Sequence, residues 1–66
     1  MQHNMLANTT KNQRINMASR GEDIEDLIEL NEPEVISELI ARGHAQAYYE
    51  EWKTHEHGDV RWALAH

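Results

Sequence analysis

The sequence predicts an all-α protein of four to five short helices, arranged as a small bundle or as a helical-hairpin array. Apolar residues recur at the i, i+3 and i+4 spacing of a helix face, and glycine, proline and asparagine fall between the segments that show it. The 66 residues have room for one modest core. The chain has no cysteine, so a disulfide framework and a cysteine-built zinc site are both excluded.

The first part of the chain is weakly patterned. Residues 1–9 are polar and show no sustained period, and we interpret them as a flexible N-terminal arm before a single helical domain over residues 10–66. Residues 10–20 carry a thin apolar stripe, and Gly21 stands where a helix would stop. A short first helix is expected there.

The second predicted helix covers residues 22–30 and has an acidic outer face. Ile24, Leu27 and Ile28 fall at i, i+3 and i+4, while acidic residues fill most other positions. Carboxylates early in this segment suit a helix N-terminus, where the backbone dipole is positive. The pattern therefore predicts an amphipathic helix.

The third predicted helix has start and stop signals at both ends. Asn31 is placed to cap it, Pro33 suits the first turn, and Glu34 stands three residues after the cap, as in a capping box. Gly43, after Arg42, supplies a left-handed exit. Its apolar residues keep helical spacing: Val35, Ile36, Leu39 and Ile40.

Two further helices are predicted in the C-terminal part. Residues 44–53 contain no helix breaker and place apolar side chains on one side: Ala45, Tyr48, Tyr49 and Trp52. After a polar link, Asp59 precedes a last helix in which Val60, Ala63 and Leu64 lie on one face. Trp62 is two helix steps of about 100° from Val60, so we expect its side chain to be exposed or to be covered by something outside this chain.

The segment 58–65, Gly-Asp-Val-Arg-Trp-Ala-Leu-Ala, resembles the Asp-Val-Arg-x-x-(Leu/Val)-Ala signature that opens a helix in HEAT-like and leucine-rich-repeat-variant helical repeats. Residues 39–45 also resemble the glycine turn between two helices of such repeats. An acid, a valine and a leucine recur at the same relative positions 25 residues apart, in segments 34–39 and 59–64, which is a period typical of solenoids. The similarity covers residues 34–66.

The resemblance implies structural roles for Asp59 and Arg61, packing between repeats for Val60 and Leu64, and binding by surface residues. Stacked repeats need about three copies to bury a continuous core. The resemblance thus leaves two interpretations: the chain is the N-terminal part of a longer array, or another protein covers its open end.

Charge is distributed unevenly along the chain. Residues 1–21 have a net charge of +3 and residues 22–66 one of −9, with eight acids and no base between Glu22 and Glu38. Such a face disfavours phosphate backbones as partners and suits a basic partner or simple solvation. Direct nucleic-acid binding is therefore not expected.

Catalytic and metal-binding chemistry is not predicted. The serines lie inside helical segments, and the chain has no glycine-rich phosphate loop. His55 and His57 are two residues apart, whereas helical metal ligands favour i, i+3 or i, i+4. We interpret their segment as a solvent-exposed loop and expect no cofactor, no metal and no enzymatic activity.

The same sequence indicates a cytoplasmic protein. It contains no apolar run of about 18 residues, and its first residues lack the layout of a secretory signal.

Two functional hypotheses remain. The first is a non-catalytic protein-interaction module that binds a protein partner or another copy of itself, with Tyr49 and Trp62 as candidate contact residues and Tyr48 and Trp52 in the core. The second is a small acidic inhibitor of a nucleic-acid enzyme, of the DNA-mimic or anti-defence kind typical of phages and mobile elements. Its candidate contact residues are Glu22, Glu25 and Glu29.

Overall fold

A computed structural model describes residues 6–65, and over that range the protein is all-helical, as predicted. The α-helices are α1 (Lys11–Arg20), α2 (Ile24–Leu30), α3 (Pro33–Ala41), α4 (Tyr49–Trp52) and α5 (Gly58–Ala65), and a 3₁₀ helix (Gln46–Tyr48) leads directly into α4. Residues 1–5 of the predicted arm and residue 66 of the predicted domain lie outside the described residues. No helix within residues 6–65 is long and apolar enough to span a membrane.

Helix α3 is the centre of the domain. It packs against α1 on one side and α5 on the other, and it also contacts α2. Three of its apolar residues, Val35, Ile36 and Leu39, are completely buried. The buried core combines these three with side chains from every other α-helix and from the segment before α1: Leu6, Ala18, Leu27, Trp52 and Val60.

Two glycines end helices in the way the sequence predicts. Gly21 (φ 75°) follows α1 and Gly43 (φ 77°) follows α3, both in the left-handed conformation. At each site the glycine N–H and the next residue's N–H donate back to carbonyls of the last turn, which is the Schellman arrangement. A Cβ at position 21 would also lie 2.8 Å from the His44 ring, whereas one at position 43 would have no neighbour within 4 Å.

Two predicted features at the ends of the second helix are wrong. Helix α2 begins at Ile24 rather than Glu22, because Glu22 still belongs to the turn that ends α1 and Asp23 is left-handed (φ 49°). Asn31 does not cap α3. It ends α2 in the left-handed conformation (φ 54°), which asparagine tolerates, and its N–H donates to the carbonyl of Ile28.

Glu32 therefore takes the N-cap position of α3, with Pro33 as the first helical residue and no capping box at Glu34. The Glu32 carboxylate instead binds Arg14 of α1 through two hydrogen bonds, one of them 2.8 Å long, and this hydrogen bonding raises the pKa of Arg14. Arg14 also donates to the hydroxyl and the carbonyl oxygen of Thr9. One guanidinium thus joins α1, the start of α3 and the segment before α1.

The predicted arm differs from the structure over residues 6–9. Leu6 is buried in the core, and the carbonyl of Leu6 accepts hydrogen bonds from the backbone N–H and the hydroxyl of Thr9. This part of the arm packs on the domain because Leu6 supplies apolar surface that a small core can bury.

The predicted fourth helix over residues 44–53 is also wrong in extent. The His44 N–H donates to the Leu39 carbonyl in the exit turn of α3, and Ala45 is left-handed (φ 59°), so regular helix is interrupted there. The predicted apolar face is nevertheless the one that packs inward. Trp52 is buried, and the half-buried Tyr48 stacks on it with 5.6 Å between ring centroids.

The two left-handed glycines allow a matched stability test. We expect Gly43→Ala to lower the free energy of unfolding by about 1–2 kcal/mol, the cost of a left-handed alanine. Gly21→Ala has the same backbone cost and in addition forces the His44 ring to move, so it should lower the free energy of unfolding further. Urea unfolding followed by circular dichroism measures both values.

The double variant Gly21→Ala, His44→Ala isolates the steric part of this loss. Gly21→Ala is expected to lose more unfolding free energy than Gly43→Ala. A double-mutant cycle should show that removing the His44 ring recovers this additional loss. Equal losses for the two single variants would contradict the close approach of His44 to Gly21.

Candidate functional site

An open groove of about 650 Å³ runs between α3 and α5. Its lining residues come from one stripe on each helix: Glu34, Ser37, Glu38 and Ala41 of α3, and Asp59, Trp62 and Ala63 of α5. The α3 residues follow the i, i+3, i+4, i+7 series and those of α5 the i, i+3, i+4 series. Each stripe is therefore a continuous strip of helix surface beside the strip that faces the core.

The groove is lined by small residues next to one large aromatic side chain. Ala41 and Ala63 have methyl side chains, and the Ser37 hydroxyl donates across the groove to the backbone carbonyl of Asp59 at 3.5 Å. Trp62 is 65% exposed, and within residues 6–65 it is the only large apolar side chain that is mostly exposed. Val60 is completely buried, so the exposure predicted for Trp62 from its angle to Val60 is confirmed.

Three of the residues that line the groove carry carboxylates: Glu34, Glu38 and Asp59. The Glu34 carboxylate accepts a hydrogen bond from Lys11 at 3.0 Å, and the Glu38 carboxylate accepts one from Arg42 at 2.7 Å. The hydrogen bond from Lys11 lowers the pKa of Glu34, with smaller contributions from a backbone hydrogen bond and from the charge of Lys11. Glu34 therefore stays ionised to lower pH than an isolated glutamate.

The other predicted contact residues lie elsewhere. Glu25 and Glu29 are exposed and one turn apart on α2, and Glu22 precedes that helix in an exposed ion pair with Arg20. Tyr49 is half-buried, and its hydroxyl donates to the carbonyl of Ile40 at 3.4 Å. Of the residues predicted to contact a partner, the structure places Trp62 alone in the groove.

His55 forms a connection that the sequence reading does not anticipate. Its Nδ1 accepts the His57 N–H at 3.0 Å, and its Nε2 lies 2.7 Å from the side-chain oxygen of Asn31. In this arrangement the neutral Nε2–H tautomer satisfies both bonds. The carbonyl of His55 also accepts a hydrogen bond from Arg61. The segment before α5 is thereby tied to the end of α2.

No cluster of three or more histidine, aspartate or glutamate side chains within residues 6–65 is arranged to hold a metal ion. His55 and His57 are neighbours, with 5.5 Å between ring centroids, but both ring nitrogens of His55 already have protein partners.

No protein-family model matches the chain, and no curated protein or solved structure shows a significant match to it. The support for the candidate site therefore comes from its geometry and chemistry alone.

Sequence reasoning identified the exposed Trp62 but missed the other groove residues. A signal was present, because residues 34, 37, 38 and 41 form a helical stripe of small and acidic side chains beside the apolar stripe of α3. The missing information was that α5 lies next to this stripe.

The pair formed by Lys11 and Glu34 gives a pH-dependent prediction. The folded-state pKa of Glu34 is lowered, so its ionised form stabilises the fold above the unfolded-state pKa, and this contribution is lost as pH falls through the folded-state pKa. In Lys11→Met the pKa of Glu34 should rise toward 4.5, as followed by the NMR shift of its side-chain carboxyl carbon.

Lys53→Met is the matched control, because Lys53 pairs with Glu50 away from the groove. It should leave the titration of Glu34 unchanged. The stability difference between wild type and Lys11→Met should vanish at acid pH, and an identical Glu34 titration in both proteins would contradict the assigned ion pair.

Proposed function

We propose that this chain is a non-catalytic protein-interaction module that binds a polypeptide segment of another protein in the groove between α3 and α5. The observation that carries the proposal is the position of Trp62. A large aromatic side chain that is 65% exposed in a groove that also contains two alanines matches the anchor residues that dominate protein interfaces. Its burial by a partner would remove apolar surface from water.

The packing of α3 against α5 supports a helical-repeat interpretation of this module. The recurring valines, Val35 and Val60, are both completely buried. Of the recurring leucines, Leu39 is completely buried and Leu64 is half-buried against the core. Equivalent positions of the two segments thus face the same interior, as the resemblance to HEAT-like repeats implies.

Selection from a random peptide library tests the proposal without assuming the chemistry of the ligand. Peptides displayed on phage are selected on the immobilised protein and then tested on Trp62→Ala. We expect binders whose affinity falls at least about tenfold, or ~1.4 kcal/mol, when Trp62 is truncated, because an interface anchor contributes at least that much.

Glu25→Gln is the matched control, since Glu25 is also exposed but lies on α2 and does not line the groove. It should leave the selected peptides bound. Circular dichroism must show that Trp62→Ala stays folded, as expected for a mostly exposed side chain. A selection that yields no Trp62-dependent binder would refute the groove as a docking site.

A second candidate function rests on α2. Glu25 and Glu29 are exposed one turn apart, in a region of concentrated negative charge. This face supports an acidic inhibitor that occupies the DNA-binding surface of a nucleic-acid enzyme in place of the phosphate backbone.

Charge reversal separates the two functions. Glu25→Lys combined with Glu29→Lys should leave Trp62-dependent peptide binding nearly unchanged, because neither residue lines the groove. The same change should abolish any inhibition of purified DNA nucleases by the wild-type chain. Loss of peptide binding in the charge-reversed protein would instead place the binding surface on α2.

A further inference from the structure

We propose that the occupant of the groove is an amphipathic helix of another protein that carries arginine, with its apolar face against the alanines and an arginine stacked on Trp62. This inference rests on the proposed function, since it specifies the ligand of that same groove. Three properties of the described residues favour this occupant. They are the pairing of the chain's own lysines and arginines, the dimensions of the groove, and the residues beside Trp62.

The lysines and arginines of the chain, all of which lie within residues 6–65, are already engaged with other groups of the chain. Each of its six lysine and arginine residues has a partner within the chain: five bind carboxylates, and Arg61 binds a backbone carbonyl. The twelve acidic residues leave a net charge of −6. Asp59 of the groove belongs to none of these ion pairs, and a cation from another molecule would complement both Asp59 and the net negative charge.

The same charge distribution disfavours a second copy of this chain as the occupant. A symmetric dimer through this surface would place Glu34, Glu38 and Asp59 of both copies in one interface, and Asp59 is in none of the ion pairs described for residues 6–65. Like charges opposed in an interface cost free energy. A cationic segment would have the opposite effect, because it would complement this rim.

The dimensions of the groove fit a helix. The α3 stripe extends from Glu34 to Ala41, seven residue steps, which corresponds to about 10 Å or two helical turns. Ser37, Ala41 and Ala63 are small, so the backbone of an incoming helix can approach α3 and α5 closely. An amphipathic helix places apolar residues at this spacing and leaves its flanks for charged residues.

The surroundings of Trp62 favour arginine among the cations. Asp59 lies one turn before Trp62 on α5, so an indole face and a carboxylate are neighbours on one helix surface. A guanidinium stacks on an indole and binds a carboxylate through two parallel hydrogen bonds, which an ammonium group cannot do. The ion pairs of Glu34 with Lys11 and of Glu38 with Arg42 each include at least one side chain that is about half exposed, and ion pairs of this kind contribute little stability.

The Trp62-dependent peptides from the library provide the probe for this inference. We expect arginine to be enriched among them relative to the unselected library. In the tightest binder, replacing each arginine by citrulline, which keeps the planar shape but removes the charge, should weaken binding by about tenfold. Lysine replacement should give a smaller loss, and higher salt should weaken the arginine peptide selectively.

The place of binding is followed through the two tryptophan indole N–H signals of the ¹⁵N-labelled protein. The signal of Trp62, assigned with Trp62→Phe, should move on titration, while that of the buried Trp52 serves as the internal reference. Asp59→Asn and Glu38→Gln should weaken the arginine peptide more than its citrulline form, and Glu25→Gln should affect neither.

Each alternative result has a defined meaning. Trp62-dependent binders that lack arginine, or that tolerate citrulline, would overturn this inference and leave the proposed function standing. Absence of any Trp62-dependent binder would refute both. Light scattering that shows a concentration-dependent dimer, abolished by Trp62→Ala, would make a second copy the occupant and overturn the cationic helix.

Discussion

The burial of α3 on two sides is the constraint on which the rest of the structure depends. A domain of this size gains little from a core that is only half covered, and here one nine-residue helix packs against both α1 and α5. Val35, Ile36 and Leu39 must then be apolar together, while the adjacent stripe from Glu34 to Ala41 stays accessible. Helix α3 consequently contributes one face to the core and the adjacent face to the groove.

The connections around α3 hold this arrangement with few residues. Schellman turns at Gly21 and Gly43 end α1 and α3, and the His44 ring fills the space that a side chain at position 21 would need. The Arg14–Glu32 pair fixes the start of α3 on α1, and its side chains are only 15% and 21% exposed, the least among the ion pairs described for residues 6–65. Polar contacts thus position the helices, while burial of apolar surface stabilises them.

The groove and the charge balance support the same kind of function. A protein with twelve acidic residues against six lysines and arginines, each of the six with a partner within residues 6–65, has a surface potential that attracts cationic partners. Trp62 adds apolar contact area at one point of that surface. The negative charge would then speed the association of a cationic partner, and the aromatic anchor would slow its dissociation. This division of roles is common at protein interfaces.

Local sequence patterns predicted the helices and much of their orientation. The 3.6-residue period identified the inward faces of α2, α3 and α5, and the exposure of Trp62 followed from its angle to Val60. Local signals were misleading where neighbouring elements compete for one residue. Asn31 has the chemistry both to start α3 and to end α2, and the structure uses it to end α2.

The sequence by itself determined that this protein is helical, where its glycine turns lie, and which side chains are apolar on each helix, because these properties depend on residues within a few positions of one another. Only the tertiary structure placed α5 beside α3 and so brought residues 34–41 and 59–63 to one groove. It also joined His55 to Asn31 and buried Leu6. The physical reason is that helical periodicity specifies which face of each helix is apolar. The neighbouring helix that buries this face depends on how all the helices pack together.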